Sequence, residues 1–195
     1  SLSDGVEKYA QSWYRLDQLY RKFVYHARES GQASLLEELN TQVENHYTNN
    51  FLVRLNDRWQ QHVDAAHRWE AAPIMLQRNF FGRYVKPFVE RKTKVCVVIS
   101  DAFRYEVGEE LQSLIRREDR FEAEREPALS MLPSYTQLGM AALLPNQALQ
   151  LAENDSGGAM VNGQSAQGAV NRGKILAAAV PNSEVVLAKD LLAMN

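Results

Sequence analysis

The chain has 195 residues, and its 45% hydrophobic content is enough for one domain or two small domains with a buried core. Its 22 Lys and Arg residues nearly balance its 24 Asp and Glu residues, so the net charge of -2 excludes an overall field that attracts nucleic acid or membranes. The single cysteine, Cys96, excludes an internal disulfide, and no apolar run is long enough to span a membrane, so we expect a cytoplasmic protein without a membrane partner.

The first part of the chain, residues 1 to 91, has the pattern of a helical subdomain. Its opening segment carries large side chains at spacings of three and four, namely Tyr9, Trp13, Leu16, Tyr20 and Phe23. This spacing predicts an amphipathic helix that ends near Gly31. The same period then predicts a second, longer helix over residues 35 to 59. A further helix is predicted to begin at Pro73, and Pro87 should kink or restart it.

The pattern changes at residue 94. Residues 95 to 99, with the sequence VCVVI, predict a strand that is apolar on both faces, and Cys96 should be one of its small buried residues. The elements predicted after it are a helix at about 104–117, a strand at 121–126, a helix at 135–144, a strand at 159–161, a helix at 169–180 and a strand at 184–187. This alternation predicts an α/β domain over residues 92 to 195.

Asp101 follows the predicted strand at residues 95 to 99. Ligands of open α/β sheets bind beyond the carboxyl ends of the strands, so a carboxylate at this position is a candidate ligand for a divalent cation. An aspartate also commonly caps the N-terminus of a helix, and a helix is predicted to start near Arg104. The sequence around Asp101 alone leaves both interpretations open.

A second candidate site lies in residues 132 to 145, with the sequence LPSYTQLGMAALLP. Proline and two hydroxyl residues precede an apolar helix, so Ser134 and Thr136 lie at a predicted helix N-terminus. Free N–H groups and the helix dipole there favour a phosphate or an alkoxide. The alternative is that Ser134 caps the helix and that Thr136 is an ordinary residue of its first turn.

Together, residues 97–106, VVISDAFRYE, and residues 132–145 resemble the start of a PglZ domain, the alkaline-phosphatase-superfamily module of BREX phage-defence systems. The resemblance implies that residues 92 to 195 are the first part of a three-layer α/β sheet domain. In that superfamily, the aspartate after the first strand binds a divalent metal, and a Ser or Thr at the following helix start is the metal-bound nucleophile. By this resemblance Asp101 is a metal ligand, and Thr136 is both catalytic nucleophile and metal ligand.

Two further residues are candidates for binding substrate. Arg104 is close in sequence to Asp101 and could contact a phosphate with two hydrogen bonds, although a surface position or a pairing with Glu106 is the alternative. Ser134 is the reserve nucleophile, because the turn that precedes the helix could present either hydroxyl group.

The resemblance implies a metal-dependent phosphohydrolase or phosphodiesterase that contributes to phage resistance. We expect two divalent ions in the intact protein, of Zn, Mn or Mg. Because no histidine follows His67, the remaining metal ligands are expected beyond Asn195. The chain begins without Met, so we expect it to be a piece of a longer protein. Because it lacks the remaining metal ligands, this piece should be inactive alone.

The expected partners are other BREX-type defence proteins, and the family also implies DNA as a substrate class. The alternative function is a non-catalytic scaffold that binds partner proteins or DNA, with residues 1 to 91 as the docking part. A third interpretation is nucleic-acid binding through a local basic run before the predicted strand. That run consists of Arg78, Arg83, Lys86, Arg91, Lys92 and Lys94.

Overall fold

A computed structural model describes residues 1–152 and 157–194 of the chain. These residues form two compact units. Unit 1 contains Ser1–Ile74 and Phe103–Pro127, and unit 2 contains Met75–Ala102 and Ala128–Asn195. The predicted boundary after residue 91 stays a prediction. Within the described part of the chain, no helix combines the length and the apolar character needed to cross a membrane.

The regular secondary structure of unit 1 is helical in its described residues, apart from a single bridge between Ala71 and Ile74. Its elements are α1 (Leu2–Lys8), a π-helical turn (Tyr9–Trp13), α2 (Tyr14–Glu29), α3 (Ala33–Asn45), a second π-helical segment (His46–Leu52), α4 (Val53–Asp64) and α6 (Tyr105–Ile115). The two predicted helices of the first half are therefore confirmed. The first one ends before Gly31, whose φ of 65° is a left-handed conformation that glycine adopts without steric cost.

A buried ion pair joins α2 to α6. The carboxylate of Glu106 is fully buried, and Arg21 binds both of its oxygens. Nε donates to Oε1 at 2.9 Å and to Oε2 at 3.1 Å, and Nη2 donates to Oε2 at 2.8 Å. Arg21 also pairs with Glu110, as does Lys22 at 3.2 Å. The partner of Glu106 is thus Arg21, and the alternative pairing of Glu106 with Arg104 is wrong.

Two tyrosines of unit 1 share one carboxylate. The hydroxyl groups of Tyr9 and Tyr47 both donate to Asp17, the latter at 2.8 Å. The ring of Tyr20 stacks on that of Tyr47, with centroids 3.9 Å apart. Burial, followed by the hydrogen bond to Asp17, raises the pKa of Tyr9 and the pKa of Tyr47 well above the ordinary value of 10.0.

This pair predicts a loss of stability at alkaline pH. A group whose pKa is higher in the folded state stabilises the fold below its unfolded pKa and loses that contribution as pH rises further. Above pH 10, unfolding free energy should fall by up to about 1 kcal/mol per pH unit for each tyrosine. Urea unfolding at pH 9 and at pH 11 measures this fall in the free energy of unfolding. The fall should be smaller in Tyr47→Phe, whereas the exposed control Tyr25→Phe should behave like the parent; equal falls in all three would contradict the prediction.

Unit 2 combines short helices with two small sheets in its described residues. Its elements are β1 (Met75–Leu76), a 3₁₀ turn (Gln77–Asn79), a π-helical turn (Phe81–Val85), α5 (Lys86–Glu90), β2 (Ala128–Leu129), α7 (Thr136–Ala142), β3 (Leu149–Leu151), β4 (Ala159–Val161), β5 (Gln164–Ser165), α8 (Gly168–Ala179) and α9 (Ala188–Leu191). β1 and β2 pair in parallel, and β3, β4 and β5 form an antiparallel sheet in that order.

The core of unit 2 forms between α7, the antiparallel sheet and α8. Its buried side chains are those of Leu138, Ala141, Leu144, Ala159, Val161, Ala166 and Ile175. The predictions of α6, α7, β4 and α8 are confirmed, and α5 begins beside Pro87 as the predicted restart of the helix.

Several predicted elements are wrong. Residues 95 to 99 are not a strand, Val98 is 87% exposed, and Cys96 is exposed instead of buried. Residues 121–126 and 184–187 are not strands either, and the chain after Pro73 enters β1 and a 3₁₀ turn before any longer helix. A β-branched run favours extended backbone, but a strand also needs a hydrogen-bonded neighbour, and the parallel pairing in the described residues is confined to β1 and β2.

Candidate active site

The side chains of Asp101 and Thr136 lie together in unit 2. The Thr136 hydroxyl donates to Asp101 Oδ1 at 3.2 Å, and its oxygen is 3.5 Å from Oδ2. Both residues are exposed, so a ligand can reach them. The fold thus joins two oxygen-bearing side chains that are 35 residues apart in sequence.

The backbone around Asp101 turns sharply. Oδ1 of Asp101 accepts a hydrogen bond from the Ala102 N–H at 2.9 Å, and Ala102 has a φ of 50°, in the left-handed region. This conformation costs a non-glycine residue about 1 kcal/mol. Helix α6 begins at Tyr105 with Arg104 as its N-cap and without a side-chain capping bond. The interpretation of Asp101 as the cap of this helix is therefore wrong.

Thr136 is the first residue of α7. The N-cap of α7 is Tyr135, in extended conformation, and no side chain caps the helix, so the interpretation of Ser134 as its cap is wrong. The buried side chains of Leu138 and Ala141 anchor α7 in the core. Ser134 is exposed two residues before Thr136, and its predicted role as reserve nucleophile stays a prediction.

Gln77 supports the segment that carries Thr136, and no sequence pattern points to it. Its Nε2 donates to the Gly139 carbonyl at 3.2 Å, and its Oε1 accepts from the Met131 N–H at 3.3 Å. One side chain therefore bridges the two sides of the turn that precedes α7. The contacts span 62 and 54 residues, a separation that local periodicity cannot detect.

Arg104, the other predicted substrate contact, belongs to unit 1. Burial and Asp17 raise the pKa of Tyr47, and the positive charge of Arg104 opposes this rise. Its predicted contact with phosphate stays a prediction.

The pair of Asp101 and Thr136 fits part of a metal site. A carboxylate and a hydroxyl are oxygen ligands of the kind that hard divalent cations prefer, but such ions take about six ligands, or four in the case of zinc. Among residues 1–152 and 157–194, no group of three His, Cys, Asp or Glu side chains lies close enough to hold a metal. The described residues therefore offer a partial ligand set.

Comparison with known proteins identifies relatives that are much longer than this chain. Alkaline phosphatase-like protein BrxZ of Escherichia coli O9:H4 (strain HS) is 42% identical over 177 residues, which cover 86% of this chain and 20% of that protein. Alkaline phosphatase-like protein PglZ of Bacillus cereus (strain H3081.97) is 34% identical over 194 residues, which cover 98% of this chain and 22% of that protein. The chain thus spans about a fifth of the length of these curated relatives. No solved structure shows a significant match.

The family model for the BREX system PglZ alkaline phosphatase-like domain matches residues 80–195. This range covers more than half of the chain and includes both Asp101 and Thr136. The resemblance in residues 97–106 and 132–145 is thereby confirmed, and the chain belongs to the PglZ family of BREX systems.

Proposed function

We propose that the full-length protein is a divalent-metal phosphohydrolase or phosphodiesterase of a BREX phage-defence system, and that Asp101 and Thr136 belong to its active site. The observation that carries the proposal is the 3.2 Å hydrogen bond between these two exposed side chains, inside the segment that the PglZ family model matches. Neither residue caps a helix through its side chain, so the usual structural reason for an aspartate or threonine at such positions does not apply.

The reaction that fits this pair begins at the Thr136 hydroxyl. The hydroxyl loses its proton to solvent as Oγ1 attacks the phosphorus atom, and the phosphoryl group passes to the threonine. The bond from phosphorus to the leaving oxygen breaks, and that oxygen takes a proton from solvent and departs as an alcohol. Water then attacks this phosphothreonine, releases the phosphate product and restores the hydroxyl. Asp101 accepts a hydrogen bond from Thr136 and so orients its hydroxyl before attack. Divalent ions of Zn, Mn or Mg, two in the proposed complete site, would favour the alkoxide and offset the charge on the transferred group.

The proposal extends to the remainder of the full-length protein. The curated relatives are more than four times as long as this chain. We propose that their additional sequence completes the three-layer α/β domain and supplies the other Asp and His ligands. The 195-residue chain alone is then inactive. Other BREX proteins are the proposed partners, DNA is the proposed substrate class, and the cytoplasm is the proposed location.

Metal binding provides a direct test of the role of Asp101. Replacing Asp101 by Asn in the full-length protein should weaken Mn²⁺ binding by at least about tenfold, because the amide oxygen lacks the charge of the carboxylate. Calorimetric titration with Mn²⁺ measures this change independently of activity, and a matched titration of phosphodiester hydrolysis should show the same shift in metal requirement.

Asp119→Asn provides the control, since it removes the same charge from an exposed residue outside the pair. It should leave the Mn²⁺ affinity at the parent value. Equal affinities for the parent and Asp101→Asn would contradict the metal assignment. Such a result, together with no hydrolysis under any of the three metals, would favour the scaffold interpretation.

A further inference from the structure

Gln77 lies beside the turn that leads into α7, although it is far from that turn in sequence. It directly follows β1, and the parallel pairing of β1 with β2 places it next to the chain that leaves β2. Met75 pairs with Ala128 and Leu76 pairs with Leu129, so the residues after both strands continue side by side. The position of Gln77 therefore depends on the register of this small sheet.

The half-buried amide of Gln77 holds two different parts of the segment around α7. Its Oε1 accepts from the Met131 N–H before the turn, and its Nε2 donates to the Gly139 carbonyl inside the helix. A Cβ built at Gly139 would lie 3.5 Å from Nε2 and 3.9 Å from Oε1, so the side chain packs closely against α7. Asn146 donates to the Arg78 carbonyl at 3.0 Å and so fixes the backbone next to Gln77. These contacts fix α7 relative to β2.

The contacts of Gln77 act on only one member of the candidate pair. Thr136 begins α7, a helix of seven residues, so a small displacement of the helix moves its hydroxyl. Asp101 lies on a separate segment, where its carboxylate accepts from the Ala102 N–H at 2.9 Å. Loss of the Gln77 contacts should therefore displace Thr136 and leave Asp101 in place.

We propose that Gln77 is a positioning residue for Thr136 in phosphoryl transfer, an inference that rests on the proposed function. The rate of such a step depends steeply on how the attacking oxygen approaches phosphorus, and a displacement of about 1 Å can cost about a hundredfold. The match to the PglZ family model begins at residue 80, so this contribution comes from a segment that precedes the matched range. The catalytic unit then begins no later than β1.

The test is hydrolysis of an aryl phosphodiester by the full-length protein at saturating Mn²⁺. Gln77→Met keeps the length of the side chain without its donor and acceptor, and it should lower kcat by at least about tenfold. KM and the Mn²⁺ affinity should stay within about threefold of the parent values, because the charged ligand Asp101 is untouched. Gln150→Met removes an amide from an exposed position of β3 and should keep the parent kcat.

A second variant disturbs the same contact from the side of α7. Outside the helix, the Gln77 amide is what a side chain at residue 139 meets first, so Gly139→Leu should displace it and also lower kcat. The double variant Gln77→Met/Gly139→Leu should lose no more activity than the more affected single variant, because both changes remove one contact.

The possible outcomes separate the role of Gln77 from the proposed function. The parent kcat in both single variants would overturn the role of Gln77. A fall in kcat that matches a loss of folded protein in circular dichroism would also overturn it, in favour of a purely structural role. If Thr136→Ala keeps the parent rate, the proposed function fails and the role of Gln77 fails with it. If Thr136→Ala is inactive while Gln77→Met is unimpaired, only the role of Gln77 fails.

Discussion

Replacing Thr136 by Ala in the full-length protein should lower the rate of aryl phosphodiester hydrolysis by at least about a thousandfold, because it removes the proposed nucleophile. Thr136 is exposed, and its hydroxyl contributes no cap to α7. The melting temperature should therefore remain close to the parent value. Single-turnover rates with saturating Mn²⁺ separate this chemical defect from a defect in substrate binding.

Two further variants make the assignment of Thr136 specific. Thr136→Ser keeps a hydroxyl and should retain part of the rate, whereas Ser134→Ala should stay within about threefold of the parent if Ser134 has no chemical role. The opposite result, with activity lost in Ser134→Ala and kept in Thr136→Ala, would assign the nucleophile to the reserve residue. Trapping of phosphate on Thr136 in the parent, followed by peptide mapping, provides a readout that does not depend on rates.

The two central site residues could be predicted from the sequence because each lies at a recognisable local transition. Asp101 comes just after an apolar run of five residues, and Thr136 begins a short helix after a proline and a serine. Their residue types, together with the family resemblance, led to the expectation that they meet, and the structure places them 3.2 Å apart. Gln77 could not be predicted, since its contacts with Met131 and Gly139 depend on the tertiary fold alone.

The difference between helices and strands explains most of the errors in the predicted fold. A helix satisfies its backbone within one segment, so the pattern of residues 168 to 179 is sufficient to predict α8. A strand requires a neighbour, and residues 95 to 99 have the composition of a buried strand while Val98 remains 87% exposed. The three-layer sheet that the family resemblance implies therefore stays part of the proposal for the full-length protein.

Breaking the buried ion pair between α2 and α6 should have the largest effect on stability. Arg21→Met should lower the free energy of unfolding by about 3 kcal/mol, because it leaves the carboxylate of Glu106 buried without its counter-charge. The expected loss of unfolding free energy is at the lower end of the range for buried ion pairs because the Arg21 side chain is 39% exposed. Urea unfolding followed by circular dichroism measures the change.

The matched variants separate this buried charge from the surface charges beside it. Lys22→Met removes only the exposed partner of Glu110 and should cost less than about 1 kcal/mol. The double variant Arg21→Met/Glu106→Leu removes both buried charges and should recover most of the loss, since an apolar pair of similar volume can replace a buried ion pair. If Arg21→Met were no more destabilised than Lys22→Met, or if the double variant were less stable than Arg21→Met, the ion pair would not be what holds α2 against α6.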